Sequence, residues 1–341
     1  MADRVLVTGI SGFVGGHVAL QLLEAGFVVR GSVRSLEKAD KVRATLARHG
    51  ADVSRLEFVT LDLLHGEGWA AAMEDVRYLQ HVASPFVIAM PRDADDLVRP
   101  AVEGTTHALE AAFAARVERV VLTSSMAAVM YGHPRERTAP FTAADWSNLD
   151  GPGANPYIRS KTLAERAAWA IAGRHGRTAD LVSINPGLIF GPLLDDDPGT
   201  SGILLVRMLD GSLPAVARIF QVVVDIRDVA ALHVRAMLEP SAGGRRFPAG
   251  AGTISLKEVA AALRAGLPAD ATRRVPHIEV PDWMMRVFGP LHPDARGNID
   301  ELGYVRRTEA LEAQALLGRA FIAPEESVIA TGRSALENHI V

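Results

Sequence analysis

The segment Thr8-Gly9-Ile10-Ser11-Gly12-Phe13-Val14-Gly15 constrains this chain more than any other. It joins an apolar run, Arg4–Thr8, to a helical pattern that starts at Phe13. A strand passes into a helix this abruptly when the turn is tight and the helix lies close against the strand. Three glycines at this spacing meet both demands. Gly9 permits the turn, Gly12 lets the backbone approach a bound group, and Gly15 removes the side chain that would hold helix and strand apart. The spacing is TGxxGxxG rather than the commoner GxGxxG.

The same strand-then-helix unit recurs downstream. Short β-branched runs at Arg4–Thr8, Val28–Val33, Leu56–Leu61, Tyr78–Val82, Arg119–Thr123 and Leu181–Asn185 alternate with helical patterns at Phe13–Ala25, Leu36–His49, Asp93–Ala115 and Asn155–Gly173. The strands read as continuous apolar runs, as expected when both faces are covered. This alternation predicts an α/β fold, a Rossmann-type doubly wound parallel sheet. After Gly187 the pattern loosens. Gly, Pro and Asp crowd residues 191–202, a strand-like Gln221–Asp225 leads into a helix, and further helical patterns fall at Leu256–Ala265, Arg307–Leu317 and Glu325–Glu337. We expect a dinucleotide-binding domain from residues 1–186 plus about 221–240, and a smaller C-terminal substrate lobe from about 187–220 and 241–341.

Composition excludes several classes. The chain has 341 residues, 48% of them hydrophobic, which supports a real core. A net charge of −4 offers no basic field to nucleic acid, and 6% aromatics without an arginine-rich tract offer no base-stacking platform. There are no cysteines, so disulfides, thiolate nucleophiles and cysteine metal sites are excluded, and a reducing cytoplasm is expected. The opening Met-Ala-Asp-Arg lacks a signal-peptide pattern, and no charge-free apolar stretch reaches about 18 residues, so no membrane span is expected. The 11 histidines form no HExxH-type pair, and no metal is expected. The run Asp195-Asp196-Asp197 reads as a solvated loop, and Arg273-Arg274 and Arg306-Arg307 as surface charge. A monomer and a homodimer remain equally open.

A glycine-rich turn opening a helix points to a dinucleotide diphosphate. The helix N-terminus offers unpaired N–H groups and a partial positive charge to the phosphates. At the end of the second strand an acidic residue would bind the 2′-hydroxyl of NAD, and an arginine would accommodate the 2′-phosphate of NADP. Arg34 stands there, with Lys38 and Lys41 close behind, so NADP(H) is expected. Asp62-Leu63 ends the third strand, where a carboxylate could reach the adenine amino group. Val82-Ala83-Ser84 ends the fourth, where backbone could line the inner part of the cofactor.

Tyr157 and Lys161, four apart on a helix, share one face about 6 Å apart. A phenol titrates near 10, and a neighbouring ammonium favours the phenolate, so the pair suits general acid–base work at an oxygen atom. The fifth strand delivers Ser124 and Ser125 to the same edge, where a hydroxyl could bond a substrate carbonyl oxygen. No GxSxG elbow is present, so a serine nucleophile is disfavoured. Phe86, Met130 and Phe190 are candidates for an apolar substrate pocket, with Trp283, Met284, Met285 and Phe288 as further apolar candidates.

With these pieces assembled, the chain resembles an extended short-chain dehydrogenase/reductase, in the group of dihydroflavonol reductases, cinnamoyl-CoA reductases and microbial carbonyl reductases. The resemblance rests on Val7–Gly15, Val33-Arg34-Ser35, His81–Pro85, Leu122–Ser125, Asp145-Trp146-Ser147, Tyr157–Lys161, Asn185-Pro186-Gly187 and Asp225–Ala230. It implies that Ser125 orients the carbonyl and Tyr157 donates the proton. It also implies that Lys161 binds the nicotinamide ribose, that Thr123 belongs to the cofactor site, and that Pro186-Gly187-Leu188 lines the nicotinamide. Arg34 and Lys38 match the basic pair of NADP-dependent microbial members. Two departures narrow the substrate. Met130 stands where plant flavonoid reductases carry asparagine, and Ala154-Asn155-Pro156-Tyr157 replaces the cinnamoyl-CoA reductase signature. The expected activity is an NADP(H)-dependent reductase of a hydrophobic ketone or aldehyde, or of the alcohol in reverse. A sugar-nucleotide epimerase or dehydratase, a steroid dehydrogenase and a non-catalytic NADP(H) sensor are the alternatives.

Overall fold

The computed structural model describes residues 2–84, 93–289 and 299–341. Its central sheet has seven strands: β1 (Arg4–Thr8), β2 (Val28–Val33), β3 (Leu56–Thr60), β4 (Tyr78–His81), β5 (Arg119–Thr123), β6 (Leu181–Pro186) and β10 (Arg246–Ala249). All neighbours run parallel, in the order β3-β2-β1-β4-β5-β6-β10. Strand order reverses between β1 and β4, and the register places Thr8 beside His81. In such sheets this reversal opens a crevice at the carboxyl ends of the strands.

Burial explains the unbroken apolar strands. Val5 and Val7 of β1 face one core, shared with α1 (Phe13–Glu24), α2 (Glu37–Arg48) and α7 (Ile226–Leu238). Leu6 between them faces the opposite core, shared with α3 (Trp69–Ala72), α4 (Asp95–Ala114) and α5 (Pro156–Arg174). Successive side chains point to opposite faces, so a strand covered on both sides must be apolar throughout.

The second half builds its own core. β7 (Leu188–Phe190), β9 (Phe220–Asp225) and β11 (Gly252–Ser255) form a three-stranded sheet, while β8 (Ala215–Ala217) pairs with β12 (Ile278–Val280). Helices α6 (Gly199–Leu209), α8 (Leu256–Gly266) and α11 (Pro324–Glu337) pack around them. The short helices α9 (Asp282–Phe288) and α10 (Leu311–Leu317) complete the set used below. α11 reaches back to the segment that follows β7. The Thr331 hydroxyl accepts from Gly191 N at 2.7 Å, and Ser334 accepts from Leu193 N at 2.8 Å.

One expected boundary is corrected. In the segment 221–240 only α7 covers the main sheet, and its strand β9 lies in the small sheet. The seventh main strand is instead Arg246–Ala249, within the range assigned to the substrate lobe. Its Arg-Phe-Pro-Ala sequence has no β-branched residue and contains a proline, which a sheet edge tolerates.

The glycine turn is as tight as its spacing implies. A Cβ on Gly15 would sit 2.2 Å from the Gly9 carbonyl oxygen, against backbone that cannot yield. Gly15→Ala is therefore expected to cost about 1–3 kcal/mol of stability. Urea unfolding measures this, and an unchanged midpoint would refute the close approach.

Candidate active site

Gly9 adopts φ +68°, and a Cβ there would lie 3.0 Å from Ala83. Gly12, which precedes α1, would meet only the Gly9 carbonyl at 3.5 Å, so the turn is open at that point. No side chain caps α1, and no acidic residue stands in its first turn. Its N–H groups and positive dipole end thus remain available to an anion. The Thr8 hydroxyl accepts from Val82 N and Ala83 N, each at 3.0 Å, and lies 3.0 Å from His81 Nδ1. This clamps the ends of β1 and β4 together. Burial, with a smaller push from the charge of Lys161, lowers His81 to about 4, so its ring is neutral.

Arg34 and Lys38 are exposed, and neither side chain has a partner among the described residues. Lys41 is not available to join them, because its ammonium pairs with Asp196 and, at 3.4 Å, with Asp195. Arg48 and His49 also hold the Leu194 carbonyl, at 3.2 and 2.9 Å. The Asp195–Asp197 run is therefore strapped to α2 rather than simply solvated, and it closes a small cavity against Ser11, Gly12 and Phe13. Asp62 is exposed and accepts from Leu64 N at 3.0 Å, a local turn that fixes its carboxylate beside the half-buried Leu63. Ser84, half-buried, follows β4.

Ser125 leaves the end of β5 in extended backbone, and its hydroxyl accepts from Ala127 N at 3.0 Å. Helix α5 starts on Asn155, whose side chain accepts from Ile158 N at 3.0 Å, with Pro156 in the first turn. This start places Tyr157 and Lys161 on successive turns. The Ser125 hydroxyl is near enough to the Tyr157 phenol to lower its pKa, and the Lys161 ammonium stands 6.0 Å from the Tyr157 ring centre. The structure thus brings all three together.

Their electrostatics differ from the expectation. Burial raises the Tyr157 phenol above its ordinary value, opposed by the Ser125 hydroxyl; no lowering by Lys161 contributes. Lys161 is itself pushed down to about 8 by burial. At these half-buried residues desolvation outweighs the lysine's influence on its neighbour.

Around this centre Thr123 is fixed by His233, whose Nε2 lies 3.0 Å from its hydroxyl. Pro186 ends β6, Gly187 follows, and Leu188 opens β7. A Cβ on Gly187 would lie 2.3 Å from the Val222 carbonyl, so glycine is required where the chain leaves the main sheet for the small one. The apolar candidates fare unevenly. Met130 is buried beside Met126, Val129 and Phe141, next to the Ser125 turn. Phe190 is 1% exposed and belongs to the core of the second half rather than to an open pocket wall. Phe86 lies outside the described residues. Trp283 and Phe288 on α9 are exposed at 64% and 55%.

Sequence reasoning also misplaced Arg306. It is buried between the rings of Tyr131 and Tyr304, at 4.3 and 4.2 Å, and forms an ion pair with Glu301. It passed unnoticed because an Arg-Arg pair carries no local mark of burial. Glu165, one turn beyond Lys161, and Arg246 were missed as well; they form a buried ion pair at 2.7 Å.

Comparison with known proteins places the chain in a family. Residues 5–250 match the model of the NAD dependent epimerase/dehydratase family. The chain is 37% identical to cinnamoyl-CoA reductase 2 of Arabidopsis thaliana over 243 residues, covering 71% of each protein. It is 33% identical to the ketoreductase azaE of Aspergillus niger over 301 residues, covering 83% of this chain and 87% of the other. Among solved structures, yeast methylglyoxal/isovaleraldehyde reductase Gre2 complexed with NADPH superimposes with a TM-score of 0.75 at 23% identity, covering 99% of this chain and 100% of that one. The chain belongs to the NAD dependent epimerase/dehydratase family, the extended branch of the short-chain dehydrogenase/reductases. No described helix is long and apolar enough to cross a membrane.

The lowered lysine has a measurable consequence. Lys161 titrates near 8 when folded and near its ordinary 10.5 when unfolded. Below pH 8 both states hold the proton, and the cost of burying the ammonium is fully present. Between those values the unfolded chain binds more protons, so stability rises with pH. Lys161→Met is expected to stabilise the coenzyme-free protein by on the order of 2 kcal/mol near pH 7 and by less near pH 10. Urea unfolding at both values tests this; an advantage that fails to shrink overturns the charged, buried lysine.

Proposed function

We propose that this protein is an NADP(H)-dependent carbonyl reductase that acts on a hydrophobic ketone or aldehyde. The observation that carries the reading is the grouping of Ser125, Tyr157 and Lys161 at the same carboxyl edge of the parallel sheet that carries the glycine turn. The fit to NADP(H) rests on two features of this chain. The uncapped N-terminus of α1 faces the turn, and Arg34 and Lys38 stand unpartnered at the end of β2. The reductases among its relatives support the same reading.

When bound, the nicotinamide ring supplies or accepts the hydride at the carbonyl carbon. Tyr157 gives its proton to the carbonyl oxygen as negative charge gathers there. Its raised pKa keeps it protonated and ready to donate at neutral pH. The Ser125 hydroxyl orients that oxygen and favours the phenolate left behind. In our reading Lys161 also holds the nicotinamide ribose. Pro186, Gly187 and Leu188 line the ring's berth, as do Val82, Ala83 and Ser84, and Asp62 and Leu63 reach the adenine end. The apolar cluster of Met126, Val129 and Met130 beside Ser125 favours a hydrophobic substrate. A cytoplasmic location and either a monomer or a homodimer accord with this reading.

The test is consumption of NADPH, followed by its near-ultraviolet absorbance, against ketones, aldehydes and sugar nucleotides. Sugar nucleotides are the control, since the family includes epimerases and dehydratases. Tyr157→Phe is expected to lower kcat about 10²- to 10⁴-fold with NADPH affinity unchanged; undiminished turnover would reject the mechanism. Arg34→Ala is expected to reduce the preference for NADPH over NADH on the order of ten-fold, since guanidinium binds a phosphate bidentately. A preference for NADH in the parent protein would reject the coenzyme assignment.

A further inference from the structure

Tyr157, Lys161 and Glu165 recur every four residues on α5, so they share one stripe of the helix. The chemistry above uses the first two and leaves Glu165 idle. Yet its carboxylate is the most heavily bonded acidic group near the site. The side chain is 0% exposed. Ser183 Oγ and Arg246 Nε donate to Oε1, each at 2.7 Å, and Trp169 Nε1 donates at 3.3 Å. Oε2 accepts from Ser124 Oγ at 2.6 Å, Asn185 Nδ2 at 2.7 Å and Arg246 Nη2 at 3.2 Å. Burial pulls this carboxyl up, but the charge of Arg246 and the converging hydrogen bonds outweigh it and keep it ionised.

Two of these bonds lead to Ser125. Ser124 is its chain neighbour, so the Ser124 hydroxyl fixes the peptide that carries Ser125. Asn185 Nδ2 also reaches the Ser125 carbonyl, at 3.3 Å. Arg246 holds the carboxylate in turn, with its other nitrogen on the carbonyls of Ala143 and Asp145 at 2.7 and 2.6 Å and its guanidinium 3.8 Å above the Trp146 ring. We propose that Glu165 is a positioning residue, anchored by Arg246, that fixes Ser125 against Tyr157 through Ser124 and Asn185. This rests on the acid–base reading of Ser125 and Tyr157 and adds the groups that set their geometry.

The alternative is that the ion pair serves stability alone. Ser124→Ala and Trp169→Phe separate the two, because each deletes one donor to the same carboxylate and only Ser124 adjoins Ser125. Both should lower the melting temperature. Ser124→Ala should also reduce kcat on the order of ten- to a hundred-fold with NADPH affinity unchanged, the scale of a small misplacement at a reacting centre. Trp169→Phe should keep kcat within about two-fold, since its indole reaches neither Ser124 nor Asn185. Equal losses in both, or full kcat in Ser124→Ala, overturn the proposal. A second readout needs no substrate. The Ser125 hydroxyl lowers the Tyr157 pKa, so Ser124→Ala should move the Tyr157 phenolate titration upward, with Tyr157→Phe as the spectral blank, and Trp169→Phe should leave it in place. Identical titrations in the two variants count against positioning. Should Tyr157→Phe retain turnover, the reductase reading falls while the titration still decides whether Glu165 sets the contact. If Ser124→Ala does not fold, Asn185→Ala cuts the second path and is read the same way.

Discussion

A carboxylate sealed from water costs several kcal/mol unless donors surround it. Glu165 is such a group, and satisfying it ties three strands of the main sheet to one point. Ser124 arrives from the end of β5, Ser183 and Asn185 from β6, and Arg246 from the edge strand β10. None of these strands can slip by one residue without turning its donor to the opposite face. The ion pair therefore fixes the register of the sheet at the end where the candidate chemistry sits. It also explains why β10 belongs to the main sheet although its sequence hardly favours a strand. Arg246 brings the strand in, and its other guanidinium bonds secure the turn at Ala143 and Asp145.

The acid–base centre shows a balance that residue spacing alone misjudges. A tyrosine and a lysine four apart suggest a lowered phenol, since opposite charge favours the ionised form. In the folded chain the dominant influence on both groups is loss of water. It raises Tyr157 and lowers Lys161, and so favours the neutral form of each. Among the described residues Ser125 is the group that pulls the phenol back toward ionisation. The geometry of one hydroxyl consequently matters more than the number of nearby cations.

Much of this was legible because some residues admit few alternatives. Gly9 and Gly15 demand a tight turn with a close helix, and both demands are met in the structure. The six apolar runs named from the sequence are six of the seven main strands, since a strand covered on both faces carries a continuous signal. Tyr157 and Lys161 were legible from helical spacing. Long-range charge was not. Nothing local marks Lys41 as the partner of Asp195 and Asp196, residues about 155 positions away, or marks Arg306 as buried between two tyrosines. Glu165 carried no local signal because its partners lie on three different strands. Phe190 looked like a pocket wall because apolar side chains read alike whether they line a cleft or fill a core.

The bonds that α11 makes to the segment after β7 bear on how the chain assembles during synthesis. Gly191 receives its partner from Thr331, 140 residues later. At the usual pace of translation that interval lasts on the order of ten seconds. Through that window the glycine turn and the central strands can already be in place while the loop beside them stays unpinned. A nascent chain would thus carry a finished nucleotide cradle with an unfinished wall, and a chaperone engaging this region would meet it in that state.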